Sequence, residues 1–312
     1  MEAVSNFSSP SSFRSWIIAS RPAFHTVGVF PYTLGAMIAY HCTGHFDWSL
    51  WGIGTITVML VMLSTHLSGE CFDHQEDMLS WSEKPSKFAG GSGVIPRRLI
   101  TRKAAFWGSV ISIGFAIGLG LTIWIGFGTG PWTIPLGFIG IVGGFFYSSP
   151  PLRWVSTGYG EAWIGLCYGF LTVAVGAYLP MGQVNLVSTL VSIPIATSIF
   201  NVIFANEYPD FESDRVAGKK NLLSRVGRDT GVWVYVVAHV IGHVSFVVSI
   251  IVGVPHLALT LYSVPFVISV YCMYGFMRGD WKDRDKLEKL CGLGIAVNLL
   301  TTLSYIVAFG LD

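Results

Sequence analysis

Two acidic clusters carry the most chemistry in this 312-residue sequence. The first reads Gly69-Glu70-Cys71-Phe72-Asp73-His74-Gln75-Glu76-Asp77. Glu70, Asp73 and Asp77 stand at i, i+3 and i+7, so they share one face if a helix continues through them. The second reads Asn206-Glu207-Tyr208-Pro209-Asp210-Phe211-Glu212-Ser213-Asp214, with Asn206, Asp210 and Asp214 recurring every four residues. Both fit x-Glu-x-x-Asp-x-x-x-Asp, a hint of internal duplication. Stacked carboxylates repel one another unless a cation neutralises them. Hard oxygen ligands in this number suit Mg²⁺, which usually also takes phosphate oxygens from a substrate. Two such clusters facing each other would hold a diphosphate between them. Pro209 removes one helical hydrogen bond and clashes with the carbonyl of Ala205, so the helix carrying the second cluster kinks or ends there.

The elements that must position these clusters are apolar. The chain is 52% hydrophobic and 12% charged, roughly half the charged fraction of an ordinary soluble domain, so it needs lipid as its solvent. Runs long enough to cross a hydrocarbon core, which takes about 20 helical residues, recur over residues 23–42, 50–72, 104–127, 132–149, 160–180, 186–206, 231–253, 257–277 and 288–310. The expected fold class is an all-α membrane protein with nine transmembrane helices in one bundle around a central cavity. It is a single domain over 1–312 with a polar lead over 1–20. The first run is longer than a signal-peptide core and no A-x-A-like site follows it, so it is expected to stay in the mature protein. The cysteines Cys42, Cys71, Cys167, Cys272 and Cys291 lack C-x-x-C spacing and read as core packing.

Net charge is +1, but its distribution is lopsided. Under the nine-span reading, all 19 Lys and Arg fall on one face: Arg14 and Arg21, the 73–103 loop, Arg153, the 207–230 loop, and the stretch from Arg278 to Lys289. The opposite connections near 43–49, 128–131, 181–185 and 254–256 have none. Positive residues mark the cytoplasmic side, so the N-terminus is expected there and the C-terminus outside, in a cell inner or plasma membrane with the acidic clusters on the cytoplasmic side. One such motif alone would read as solvated loop acids. Two matched motifs at membrane depth, each followed by Lys and Arg, favour function because carboxylates near hydrocarbon are costly.

Three further readings concern single residues and class. His239 and His243 stand i, i+4 and could ligate a metal, but without a neighbouring carboxylate or Cys they read as a satisfied intramembrane polar pair. His66 lies one turn before Gly69, on the helix leading to the first cluster. A secondary transporter also uses intramembrane charge, although it would place that charge near the midplane rather than crowd one surface.

With these motifs in view, the chain resembles the UbiA superfamily of intramembrane prenyltransferases over nearly its whole length. Members carry N-x-x-x-D-x-x-x-D and D-x-x-x-D motifs on the cytoplasmic sides of the second and sixth of nine helices. The run Asp210-Phe-Glu-Ser-Asp214-Arg-Val-Ala-Gly218-Lys219 is similar to the D-x-x-x-D-R-x-A-G-K segment of the menaquinone-pathway branch, which prenylates dihydroxynaphthoate. Gly90-Gly91-Ser92-Gly93-Val94-Ile95 resembles the same branch's G-G-S-G-V-[IL] loop. Tyr147-Ser148-Ser149-Pro150-Pro151-Leu152-Arg153, followed by Gly158-Tyr159-Gly160-Glu161, resembles the family's Y-[ST]-x-x-P-L and G-L-G-E elements. Gly69 stands where the family's first motif has Asn, Glu70 where Asp is usual, and Asp73-x-x-x-Asp77 is tighter than that branch's D-x5-D.

The resemblance implies Mg²⁺-dependent transfer of a polyprenyl group from an allylic diphosphate to an aromatic acceptor of the dihydroxynaphthoate kind, with release of diphosphate. The alternatives within enzymology are a hydroxybenzoate-like or glycerol-phosphate lipid acceptor, or cyclisation of the prenyl chain. Asp73, Asp77, Asp210 and Asp214 would be catalytic, and with Glu70 and Asn206 they would hold the metal. The implied diphosphate-binding cations are Arg21, Lys84, Lys87, Arg153 and Lys219. An apolar, aromatic chamber must shield the allyl cation, and His66, Phe72, Tyr147 and Phe204 are its expected lining. Partners are then the prenyl diphosphate, the aromatic acceptor and the lipid bilayer, with no nucleic acid and no obligate protein partner.

Overall fold

The computed structural model describes residues 13–83, 86–88 and 90–312, and among them every regular element is helical. In chain order these are α1 (Phe13–Ser20), α2 (Pro22–Thr43), α3 (Trp48–Phe72), α4 (His74–Glu83), α5 (Arg102–Gly126), α6 (Thr133–Phe145), α7 (Gly160–Ile164), a π turn (Gly165–Leu171), α8 (Thr172–Met181), α9 (Leu186–Asn206), α10 (Phe211–Val216), α11 (Leu222–Val226), α12 (Arg228–Ile251), α13 (Leu257–Arg278) and α14 (Arg284–Leu311). Each apolar run of the sequence is helical. Among the described residues seven helices are long and apolar enough to cross a membrane: α3, α5, the continuous α7–π–α8 stretch, α9, α12, α13 and α14.

The two remaining runs differ from expectation in instructive ways. α2 has 22 residues but stays outside that set of seven. α6 stops at Phe145 instead of reaching 149, leaving 13 residues, about 20 Å of helix at 1.5 Å per residue. Pro150 and Pro151 follow closely, and a proline biases the residue before it away from helix.

Helix ends are set by local chemistry. Asp47 accepts from the Leu50 amide (2.9 Å), Thr101 from Ala104 (3.2 Å), and Asn185 forms a capping box with Ser188. Within the polar lead, α1 packs against α3, with Trp16, Ile18 and Ala19 joining Leu67 and Cys71 in one apolar cluster.

Packing runs α3 along α5, α2 against α8 and α14, α9 against α12 and α14, and α13 against α14. The α2–α8 contact needs glycine on both sides: a Cβ at Gly35 would overlap the backbone at Val173 and Ala177, and one at Gly176 would overlap the Tyr32 carbonyl. Without a hydrophobic drive between helices in lipid, such backbone approach supplies the attraction. Several polar groups inside the bundle are paired across helices. His243 bonds Tyr262 (2.7 Å) and Ser269 (3.0 Å), Asn298 donates to Ser198 (2.8 Å), and Ser249 bonds Tyr305 (2.8 Å). His239 stacks on His243, but its Nε2 is buried without a hydrogen-bond partner, so of the expected satisfied pair only His243 is bonded through both ring nitrogens. All five cysteines are free thiols; Cys71, Cys272 and Cys291 are buried as expected of core packing, whereas Cys42 is exposed.

Candidate functional site

The first acidic cluster straddles a helix break. α3 ends at Phe72, and Asp73 caps it while donating its amide to the Gly69 carbonyl (2.9 Å); the Asp77 amide then donates to the Asp73 carbonyl (3.0 Å). The helical spacing therefore survives the break, and Glu70, Asp73 and Asp77 line one cavity. Ser148 donates its hydroxyl to Asp73, and Glu70 accepts the Ser92 amide at 2.6 Å. Gly91, at φ 64°, lets the glycine loop pass against the Asp77 carboxylate; any Cβ there would overlap it.

The second cluster has the same build. α9 ends at Asn206, the chain turns through Glu207–Pro209, and Asp210 opens α10. Asp214 is held by the Asn221 amide group (2.8 Å) and the Lys219 ammonium (3.4 Å). Asp210 takes hydrogen bonds from Ser80 and the Gly90 backbone. A Ser80–Ser213 bond of 2.8 Å ties α4 to α10, so the two clusters face each other across one cavity of about 200 Å³.

Electrostatics follow from burying acids together. Burial pushes Asp73 up to about 6, against the pull of Lys219 and Arg153, and Asp210 up to about 6 as well, helped by Asp214. Asp77 is driven well above the usual carboxylate range by burial and by Glu70, Asp73 and Asp210. Burial would lower Lys219, but Asp214, Asp73 and Glu207 outweigh it and hold the ammonium charged. The site is a dense negative pocket that favours a cation.

Ten of the residues singled out in sequence meet at this cavity: Glu70, Asp73, Asp77, Asn206, Asp210, Asp214, Arg21, Lys219, His66 and Tyr147. Five do not. Arg153 reaches Asp73 (3.4 Å) and Glu76 from behind the cluster and lines none of the cavity, so it holds carboxylates. Lys87 is exposed over a neighbouring groove. Phe72 packs edge-on against Phe106, and Phe204 is fully buried against Phe200 within the α12–α14 core. Lys84 lies outside the described residues.

Other residues at the site were not singled out as such. Glu207 lines the cavity, and burial together with the neighbouring Glu161 holds its carboxyl well above the usual range. Ser148, Gly90 and Gly91 stood within motifs already quoted, whereas Ser80 gave no pattern of its own. Tyr168, by contrast, is one of the aromatics the sequence places near the motif ends, and it lines the cavity from the π turn, which nothing in an apolar run forecasts.

Among the described residues no three His, Cys, Asp or Glu side chains stand together as a ready metal site. Yet Glu70 Oε2, Asn206 Oδ1 and Glu207 Oε2 are buried without a hydrogen-bond partner. That donor set fits Mg²⁺, which is bound by one or two carboxylates and completes its octahedron with substrate phosphate and water.

Comparison with known proteins agrees with this geometry. The model of the UbiA prenyltransferase family matches residues 28–299. A 1,4-dihydroxy-2-naphthoate octaprenyltransferase of Bacillus subtilis (strain 168) is 26% identical over 263 residues, covering 84% of this chain and 81% of the relative. A 2-carboxy-1,4-naphthoquinone phytyltransferase of Synechocystis sp. is 26% identical over 239 residues, covering 71% and 69%. Among solved structures, the apo UbiA homolog from Aeropyrum pernix K1 superposes with TM-score 0.70 at 13% identity, covering 91% of this chain and 98% of that one. The UbiA homolog from Archaeoglobus fulgidus bound to GPP and Mg²⁺ gives 0.65 at 14%, covering 94% and 99%.

Proposed function

The chain belongs to the UbiA prenyltransferase family, and from that premise we propose that it transfers a polyprenyl group from an allylic diphosphate to an aromatic acceptor of the dihydroxynaphthoate kind, releasing diphosphate. It is an integral, multi-pass membrane prenyltransferase, which displaces the transporter reading. The acceptor assignment is supported by the naphthoate and naphthoquinone substrates named for its relatives. The observation that carries the reaction is the single cavity in which two acidic clusters and two cations meet an apolar, aromatic wall.

Asp73, Asp77, Asp210 and Asp214, with Glu70 and Asn206 beside them, are the proposed Mg²⁺ holders. When bound, the ion supplies Lewis-acid neutralisation of the departing diphosphate. Lys219 and Arg21 supply positive charge to the phosphate oxygens, Lys219 as a point charge and Arg21 as a planar fork. Ser148, Ser80 and Asn221 fix the carboxylate orientations through their hydrogen bonds. Phe24, Tyr147 and Tyr168 form the chamber above, excluding water from the allyl cation and facing it with ring π-density. Once the C1–O bond to diphosphate has broken, an electron-rich ring carbon forms its new bond to C1 of the prenyl chain, and that ring carbon sheds its proton, or its carboxyl group as CO2, leaving the bonding pair to restore the aromatic ring.

All nine apolar helices are taken to belong to the membrane domain, which spans the whole chain, with the N-terminus and the acidic site cytoplasmic and the C-terminus outside. Confinement of all 19 Lys and Arg to one set of connections supports that orientation. No protein partner is required for the reaction.

The test is mass spectrometry of the product from membranes containing the protein, supplied with dihydroxynaphthoate and geranylgeranyl diphosphate. Prenylated naphthoate with matching diphosphate release is the expected result. Prenylation of hydroxybenzoate instead would overturn the acceptor, and no release with any acceptor would overturn the reaction.

A further inference from the structure

We propose that His66 accepts a hydrogen bond from a ring hydroxyl of the aromatic acceptor through its Nε2, and that this bond selects hydroxylated rings. The proposal rests on the prenyl-transfer reading above and adds the group that orients the acceptor.

The tautomer of His66 is set at the break between α1 and α2. α1 ends at Ser20, and Arg21, at φ 49° and ψ 61°, turns the chain into α2. No backbone donor reaches the Ser20 carbonyl, a helix-end oxygen that needs one. Two imidazoles supply it instead: His66 through Nδ1 and His25 through Nε2, each at 2.9 Å. A carbonyl oxygen only accepts, so each of those nitrogens carries a proton, and in a neutral ring the other nitrogen carries a lone pair.

The two lone pairs meet different surroundings. His25 Nδ1 is buried without a partner, and His25 lines none of the acidic cavity. His66 is half-buried and does line it; among the described residues its Nε2 has no protein partner, yet it is not sealed from solvent, so it opens on the cavity. Phe24 and His25 stand edge-on to the His66 ring, at 6.5 and 5.3 Å, and hold its orientation.

Along α3, His66 precedes Glu70 by one helical turn, about 6 Å, and Asp73 by seven residues, about 10 Å. The diphosphate end of the cavity is therefore one turn away, and the next layer is where a ring attacking C1 must lie. In that layer the Thr65 and Tyr168 hydroxyls already bond each other. A diphosphate or a carboxylate has no proton to give His66 Nε2, whereas a ring hydroxyl has one. Accepting it leaves more electron density on the oxygen and in the ring, in the direction that attack on C1 requires.

The experiment gives the full-length protein in lipid nanodiscs geranylgeranyl diphosphate with three acceptors: dihydroxynaphthoate and its two mono-O-methyl ethers, which stay electron-rich but each lack one O–H. The unaltered protein should use one ether with a kcat/KM about tenfold or more below that of the diol, the worth of one hydrogen bond. His66→Phe removes the lone pair but keeps a ring there, so steric rejection of the methyl group would persist. If the bond is the cause, the deficit of that ether should instead shrink to about threefold or less, with KM for the prenyl diphosphate unchanged. His66→Gln, which returns an oxygen near the Nε2 position, should recover part of the preference for the diol. Equal use of all three acceptors by the unaltered protein, or an undiminished deficit in His66→Phe, overturns the role of His66 while leaving prenyl transfer standing. Failure of the unaltered protein to release diphosphate with any acceptor overturns the prenyl-transfer reading, and the role of His66 with it.

Discussion

Arg153 and Lys219 look alike in sequence, each a cation trailing an acidic or proline-rich motif, yet they pair with different carboxylates and only Lys219 lines the cavity. Arg153 binds Asp73 and Glu76 from outside the cavity, and Lys219 meets Asp214 within it. Lys219→Gln should therefore raise KM for the prenyl diphosphate about tenfold or more, the worth of a charged hydrogen bond, whereas Arg153→Gln should chiefly raise the Mg²⁺ concentration needed for half-maximal rate. Asp73→Ala and Asp210→Ala should each cut diphosphate release by about a hundredfold or more, since each removes charge aimed at the leaving group. The raised carboxyls also make a pH prediction. Asp73 and Asp210 bind protons more tightly folded than unfolded, so their contribution to the stability of the metal-free protein falls as pH rises from the usual carboxylate range to about 6. Mg²⁺ with inorganic diphosphate should then raise Tm more at about pH 7.5 than at about pH 5.5, where protons compete for the same oxygens. An equal rise at both would count against these carboxylates as the binding groups.

Among the elements, the helices that are hardest to read are those that do the positioning. Positions and types of the long helices follow from apolar runs and caps, and the spacing of Asp73, Asp77, Asp210 and Asp214 was legible because helical periodicity survives the breaks at Asp73 and Asp210. Side-chain direction was not. A helix apolar all round gives no face, so Phe204 and Phe72, near the motif ends in sequence, turn into core while Tyr168 turns inward on a π turn. Glycine at helix contacts is similarly silent in sequence and decisive in packing. Gly35→Val should destabilise the protein by about 1–3 kcal/mol or prevent folding, because α8 backbone occupies that space, whereas Gly118→Val, which meets nothing within 4 Å, should unfold like the unaltered protein in detergent melts.

For the molecule as a whole, the segregation of all 19 Lys and Arg under the nine-span reading is what the proposed cytoplasmic side of the acids rests on. Cys42 offers a native reporter, being exposed at the end of α2 opposite the acidic clusters. A membrane-impermeant maleimide added outside intact cells should label Cys42 and leave a Lys220→Cys substitution unlabelled; the reverse pattern would invert the orientation. One more consequence belongs to α6, which at 13 residues falls short of a hydrocarbon layer about 30 Å thick. A bilayer meeting a helix this short must thin beside it. Such a dip would press unevenly on the bundle, squeezing the flank that carries α6 while the long helices α5 and α12 meet lipid of ordinary depth.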